Sequence, residues 1–169
     1  MRTIALVAMG LCGAALFAAN KPVTVDLKDG TGKDVGTAKI SDDGTGVKIA
    51  LNLKGLPAGD HGIHFHQTAK CEGPAFTTAG GHFNPGNKKH GLDNPQGPHA
   101  GDNPNFTVKA DGTAKLNMAD PRVTLSPAAA NSLFAGGGTA LMIHAMKDDE
   151  MTDPTGNAGG RIACGVVMR

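Results

Sequence analysis

Seven histidines, His61, His64, His66, His82, His90, His99 and His144, are the residues of this chain best suited to chemistry. His64 and His66 stand two apart in a segment that alternates in polarity. On a strand both rings would project from one face while Ile63 and Phe65 turn to the other. Two imidazoles converging on one point, with more histidine downstream, favour metal ligation over a pair of hydrogen-bonded structural histidines. His82, His90, His99 and Asp102 follow at spacings of 8, 9 and 3. Three imidazoles and a carboxylate make a closed tetrahedral donor set with no position for water, as a structural zinc ion takes. The alternative, a solvated loop whose His and Asp serve as turn formers beside Asn94-Pro95 and Gly97-Pro98, is about equally open on composition alone.

The elements that must hold these residues are strands. Apolar and polar residues alternate over 23–27, 35–40, 47–53, 61–67, 105–109, 113–118, 139–146 and 161–168, with turn pairs such as Asp29-Gly30 and Asp43-Gly44 between them. No amphipathic helix competes. Eight short antiparallel strands predict an all-β fold, a Greek-key β-barrel or sandwich whose crossover is the longer connection 119–138. Between Gln67 and Asn105 lies a segment rich in Gly, Pro, Asn and His. A loop of that length inside a domain needs something other than an apolar core to order it, and the histidine sets above would do so.

With 169 residues, 25 Gly and 10 Pro, the chain has the length of about one domain and a turn-rich composition. A net charge of +1 and six Phe as the only aromatics exclude the basic, stacking surface of a nucleic-acid binder. The first residues read as a secretory signal peptide: Met1-Arg2, then an uncharged apolar run from Ile4 to Ala19, then an abrupt change after Asn20-Lys21. The expected organisation is a signal peptide at 1–19 and one domain at 20–169. An uncleaved anchor is the lesser alternative, and no second hydrophobic stretch implies a membrane partner after cleavage. Removal of the leader takes away Cys12 and leaves Cys71 and Cys164, which in an exported protein implies one disulfide.

The segments HGIHFH (61–66), GGHFNP (80–85), KKHG (88–91), GPHAGD (97–102), IHA (143–145) and TGNAGGRIACGV (155–166) together resemble the copper/zinc superoxide dismutases in order and spacing. The likeness runs from about Pro22 to Val167. It is nearest the exported, periplasmic bacterial branch, because Cys71 follows His66 by five residues and MTDPTGN stands at 151–157. The resemblance implies dismutation of superoxide to dioxygen and hydrogen peroxide by alternating Cu(II)/Cu(I) chemistry. It implies copper on His64, His66, His82 and His144, and zinc on His82, His90, His99 and Asp102. His82 would then bridge as a deprotonated ring between metals roughly 6 Å apart. Arg161 resembles the family's anion-guiding arginine, and Asp148 the aspartate that ties His90 to His64, with Asp149 as its rival. His61, without a metal to bind, is a structural histidine.

Three features depart from the family pattern. Gln67 stands where many members carry Glu, Asn103 replaces a commoner apolar residue, and 147–160 lacks the acidic pair and lysine of the eukaryotic electrostatic loop. These leave ligation untouched but bear on long-range steering, for which Lys88, Lys89 and Lys147 are candidates against the simpler reading of solvated lysines. Two rivals are a non-enzymatic copper or zinc carrier on the same fold and a copper-only dismutase. Neither accounts for the whole set: a carrier has no use for Arg161, and a copper-only enzyme has none for His90, His99 and Asp102. Monomer and homodimer are both open.

Overall fold

Strands form where β-branched and other apolar residues alternate with polar ones between turn residues. In the computed structural model, which describes residues 20–169, these are β1 (Val23–Asp29), β2 (Asp34–Asp42), β3 (Val47–Leu53), β4 (Gly59–His61), β5 (Ile63–His66), β6 (Phe106–Val108), β7 (Ala114–Asp120), β8 (Thr139–His144) and β9 (Arg161–Val167). The expected signal peptide, residues 1–19, lies outside the described residues. Hairpin turns are closed by aspartates: Asp29 Oδ1 accepts the Thr31 amide at 2.8 Å, and Asp43 Oδ1 accepts those of Thr45 and Gly46 at 2.9 and 2.8 Å.

Seven strands form one antiparallel sheet in the order β5-β8-β9-β1-β2-β3-β7, curled into a half-barrel, and β4 pairs with β6 in a second, two-stranded sheet. The chain therefore leaves β7 at one edge and re-enters as β8 beside the opposite edge, so residues 121–138 make a Greek-key crossover. Among the described residues the fold is all-β, with two short 3-10 turns, Thr77–Ala79 and Ala135–Gly137. One expectation needs correction: the strand expected over 61–67 is two strands. Gly62 breaks it, donating its amide to the Met146 carbonyl and accepting the His144 amide, both at 2.9 Å. The break lets the chain change partners from β6 to β8. A side chain at 62 would meet Asp148 Cβ at 3.2 Å and His64 Cε1 at 3.3 Å, so the corner suits glycine.

The core fills the inner face of the sheet with Leu27, Ile40, Ile49, Leu51, Ile63, Phe65, Leu141 and Ile143. Most strands bury one face only, as the alternating exposure of β3 shows. β5 and β8 are buried on both faces. Their outer face lies under the long segment 67–105, where Phe76 and Ala79 pack on Ala140, Met142 and Cys164. The same outer face carries His64, His66 and His144.

Candidate metal centre

β5 offers His64 and His66 to the outer face, and β8 ends on His144, whose register partner in β9 is Arg161. The long segment folds back over them. Phe65 donates its amide to Gly101, Gly101 to Phe83 and Phe83 to Phe65, at 2.8, 2.8 and 2.7 Å, and this closed ring of bonds brings the loop alongside β5. His82 and Asp102 are thereby bridged to His66 and His64.

Two donor sets result. In the first, one donor atom from each of His64, His66, His82 and His144 lies within 4.8 Å of every other. The remaining nitrogens of three of these rings are already engaged. His64 Nε2 meets Asp148 Oδ2 at 2.6 Å, His66 Nδ1 the Gly80 carbonyl at 2.9 Å, and His144 Nδ1 the Gly159 carbonyl at 3.2 Å. The nitrogens left over face one another: His66 Nε2 and His144 Nε2 are 3.4 Å apart, and the buried His64 Nδ1 and His82 Nε2 have no hydrogen-bond partner in the protein. Orphaned buried nitrogens are rare, and here they mark a position for a cation.

In the second set, Nδ1 of His82, His90 and His99 all face Asp102 Oδ1, at 3.0, 3.1 and 3.3 Å, and Nδ1 of His99 and His82 are 3.4 Å apart. Bond lengths of about 2 Å in a tetrahedron place donors about 3.3 Å from each other, so this spacing fits zinc. His64, His82, His90 and Asp102 also lie within the 4.8 Å reach. His64 nevertheless suits the first set, because Asp148 takes its Nε2 and its Nδ1 is unpartnered. His82 has one nitrogen in each set.

Asp148 joins the two sets. Its second oxygen meets His90 Nε2 at 3.0 Å, while the side chain of Asn105 bonds both its amide and its carbonyl, at 2.7 and 2.9 Å. Its neighbour Asp149 instead closes the local turn, accepting the amides of Met151 and Thr152. Asn105 escaped the sequence reading, in which it opens the alternating segment 105–109 and carries no motif; the strand begins at Phe106. His61 lies outside both sets, with one ring nitrogen 2.7 Å from the His144 carbonyl and the other 2.9 Å from that of Pro57.

Burial pushes the His82 and His144 rings down to about 4 and about 3, and takes His66 well below its ordinary value. All three are therefore neutral near pH 7, the state metal ligation requires. Burial opposes charge on His90 as well, but Asp102 and Asp148 on either side raise it to about 9. Asp102 is penalised by burial yet held far below the carboxylate range by His82, His90 and His99. Two buried carboxylates around one ring make a site suited to positive charge.

Arg161 is half-buried. Its guanidinium donates to the carbonyls of Phe76 and Gly80, each at 2.6 Å. Gly80 also receives His66, so one peptide positions both groups. Arg161, His66, His82, His144 and Gln67 line a cavity of about 470 Å³. Cys71 and Cys164 form a disulfide. Lys89 is paired with Asp153 at 3.0 Å, and Lys147 lines a cavity together with Asp60, Asp93 and Asp149. Asn103 is buried and bonds the Gly101 carbonyl.

An antiparallel half-barrel that carries two adjoining histidine-rich donor sets under one loop has the residues to hold a pair of metal ions. The comparisons with known proteins resolve the class. The sequence profile of the family described as copper/zinc superoxide dismutase (SODC) matches residues 35–167, and the chain belongs to that family. It is 46% identical over 155 residues to superoxide dismutase [Cu-Zn] 2 of Aquifex aeolicus, covering 91% of each chain. The crystal structure of a SOD-like protein from Bacillus subtilis aligns with TM-score 0.83 at 39% identity, over 86% of this chain and 97% of that one. The Cu/Zn superoxide dismutase from Brucella abortus aligns with TM-score 0.71 at 31% identity, over 87% of this chain and 99% of that one.

The metal loop contains a direct test of the Asp148 link. Gly156 has φ +62, and a Cβ there would lie 1.8 Å from Asp148 Oδ1 and 2.5 Å from His90 Nε2. Gly156→Ala is therefore expected to displace Asp148 and weaken retention of a divalent cation offered to the carboxylate set about 10- to 100-fold, read by chelator competition. Native retention in that variant would remove Asp148 from the account of the site.

Proposed function

We propose that this chain dismutes superoxide at a copper held by His64, His66, His82 and His144, beside a zinc held by His82, His90, His99 and Asp102. The observation that carries the reading is the placement of His82, with Nδ1 in one donor set and the orphaned Nε2 in the other. When bound, copper supplies alternation between Cu(II) and Cu(I), and zinc supplies a fixed dication. Two superoxide anions and two protons become one dioxygen and one hydrogen peroxide.

The chain's own groups bring in the anion and the protons. With cations held in both donor sets, the His82 ring would lie without its proton, and Nε2 would be the group placed to hold a proton and pass it to peroxide. Nδ1 keeps the ring in place meanwhile. The Arg161 guanidinium is planar and oriented by two carbonyls beside His144. Burial lowers its pKa from the ordinary arginine value, but the group keeps its charge near neutral pH and can hold a two-oxygen anion.

Arg161→Ala is expected to retain both metals and lose dismutation by about 10- to 100-fold, measured as superoxide decay. Arg161→Lys should fall between, since it keeps the charge without the fork. An unchanged rate in Arg161→Ala would refute the anion role. Elemental analysis of active protein should find one copper and one zinc per chain. Full activity with copper alone would favour the copper-only reading. We also place the protein outside the cytoplasm, with residues 1–19 as a cleaved leader and 20–169 as the enzyme domain. The disulfide supports that reading, and the mass of the mature protein tests it.

A further inference from the structure

Arg122 belongs to none of the motifs above and sits in the crossover between β7 and β8, yet its side chain reaches the metal loop. We infer that Arg122 is a positioning residue for the zinc set, fixing the Asp102 peptide from the crossover side and so coupling zinc uptake to the order of 121–138. This rests on the assignment of His82, His90, His99 and Asp102 to zinc.

Every oxygen of the Asp102 carboxylate is engaged within the loop itself. Oδ1 faces the three histidines, and Oδ2 accepts the amides of Gly91 and His99, both at 2.9 Å. Those partners move with the loop, so they cannot set where Asp102 stands relative to the sheet. Two other contacts can. Asp102 is bridged to His64 of β5 on one side. On the other, its carbonyl accepts Nη2 of Arg122.

Arg122 is in turn pinned at both ends. The same Nη2 lies 3.0 Å from Asp120 Oδ1, which also accepts the Arg122 amide at 2.9 Å. Asn131, nine residues on in the crossover, donates its side-chain amide to the Arg122 carbonyl at 2.8 Å. Asp120 is fully buried at the end of β7, so the guanidinium also neutralises an interior carboxylate. A purely structural ion pair would need Asp120 alone. The bond to Asp102 gives the arginine an effect on a proposed ligand, as outer partners of metal ligands have.

The test begins with metal-loaded protein and withdraws zinc with a chromophoric chelator. It uses Arg122→Met combined with Asp120→Asn, so that no buried carboxylate is left unpaired, and separately Arg122→Lys. The double variant is expected to hold zinc about 10- to 100-fold more weakly. It should also shift the visible absorption of Co(II) placed in that set, and lose zinc-dependent slowing of amide exchange at Ser132 and Leu133. Arg122→Lys, which keeps one donor and the charge, should recover part of the affinity. Native zinc affinity and cobalt spectrum in the double variant, even with a lower Tm, would make the contact merely structural and overturn the inference. If the double variant does not fold, native affinity in Arg122→Lys overturns it equally. Failure of the unsubstituted protein to bind zinc through His90 and His99 would instead strike the zinc assignment.

Discussion

His82→Ala is expected to lower superoxide dismutation by roughly 100-fold or more, because on the proposed assignment one substitution removes a donor from both sets and the group proposed to relay a proton. The rate should be measured by rapid mixing with superoxide, alongside metal content. A second signature separates the shared ring from a general loss of ligands. With Co(II) in the carboxylate set, the native ring between the two metals should couple their spins and suppress the Cu(II) resonance. In His82→Ala the ordinary Cu(II) signal should return. A variant that cycles at the native rate, or that keeps the coupling, would refute a bridge through His82 Nδ1 and Nε2.

The second large effect concerns stability. Cys71 and Cys164 are separated by 93 residues, so on the chain-entropy argument Cys71→Ser with Cys164→Ser should cost about 4 to 5 kcal/mol of unfolding free energy. Chemical denaturation of the variant and the native protein measures it. The disulfide also ties β9, which carries Arg161, to the segment that carries its acceptors at Phe76 and Gly80. Activity should therefore fall further than metal content does. Equal losses of activity and metal would show that the bridge acts on the site as a whole and does not position Arg161.

The strands were legible because alternation in this chain is regular: Val47, Ile49, Leu51 and Leu53 turn inward on β3 while Lys48 and Asn52 turn out. The crossover could be read from the length of one connection. The change of partner at Gly62 could not, since alternation continues through it and only the third dimension shows that β4 and β5 pair with different strands. The site was legible to the extent that its donors are of distinctive type. The histidines and Asp102 stand out in any sequence, whereas Asn105 and Arg122 are common surface residues whose role comes from distant contacts. The choice between Asp148 and Asp149 likewise depended on which carboxylate faces His64 and His90, and adjacent residues of one type carry no sign of that.

The division of β5 into an inward row, Ile63 and Phe65, and an outward row, His64 and His66, has an evolutionary consequence. Exchanges among aliphatic side chains on the inward row alter volume alone, and the sheet can absorb them by small mutual adjustments across the barrel. On the outward row no such drift is available, since each ring is tied to a specific acceptor. A lineage can thus retune its thermal tolerance through the inward positions of this four-residue ribbon while the outward ones stay fixed.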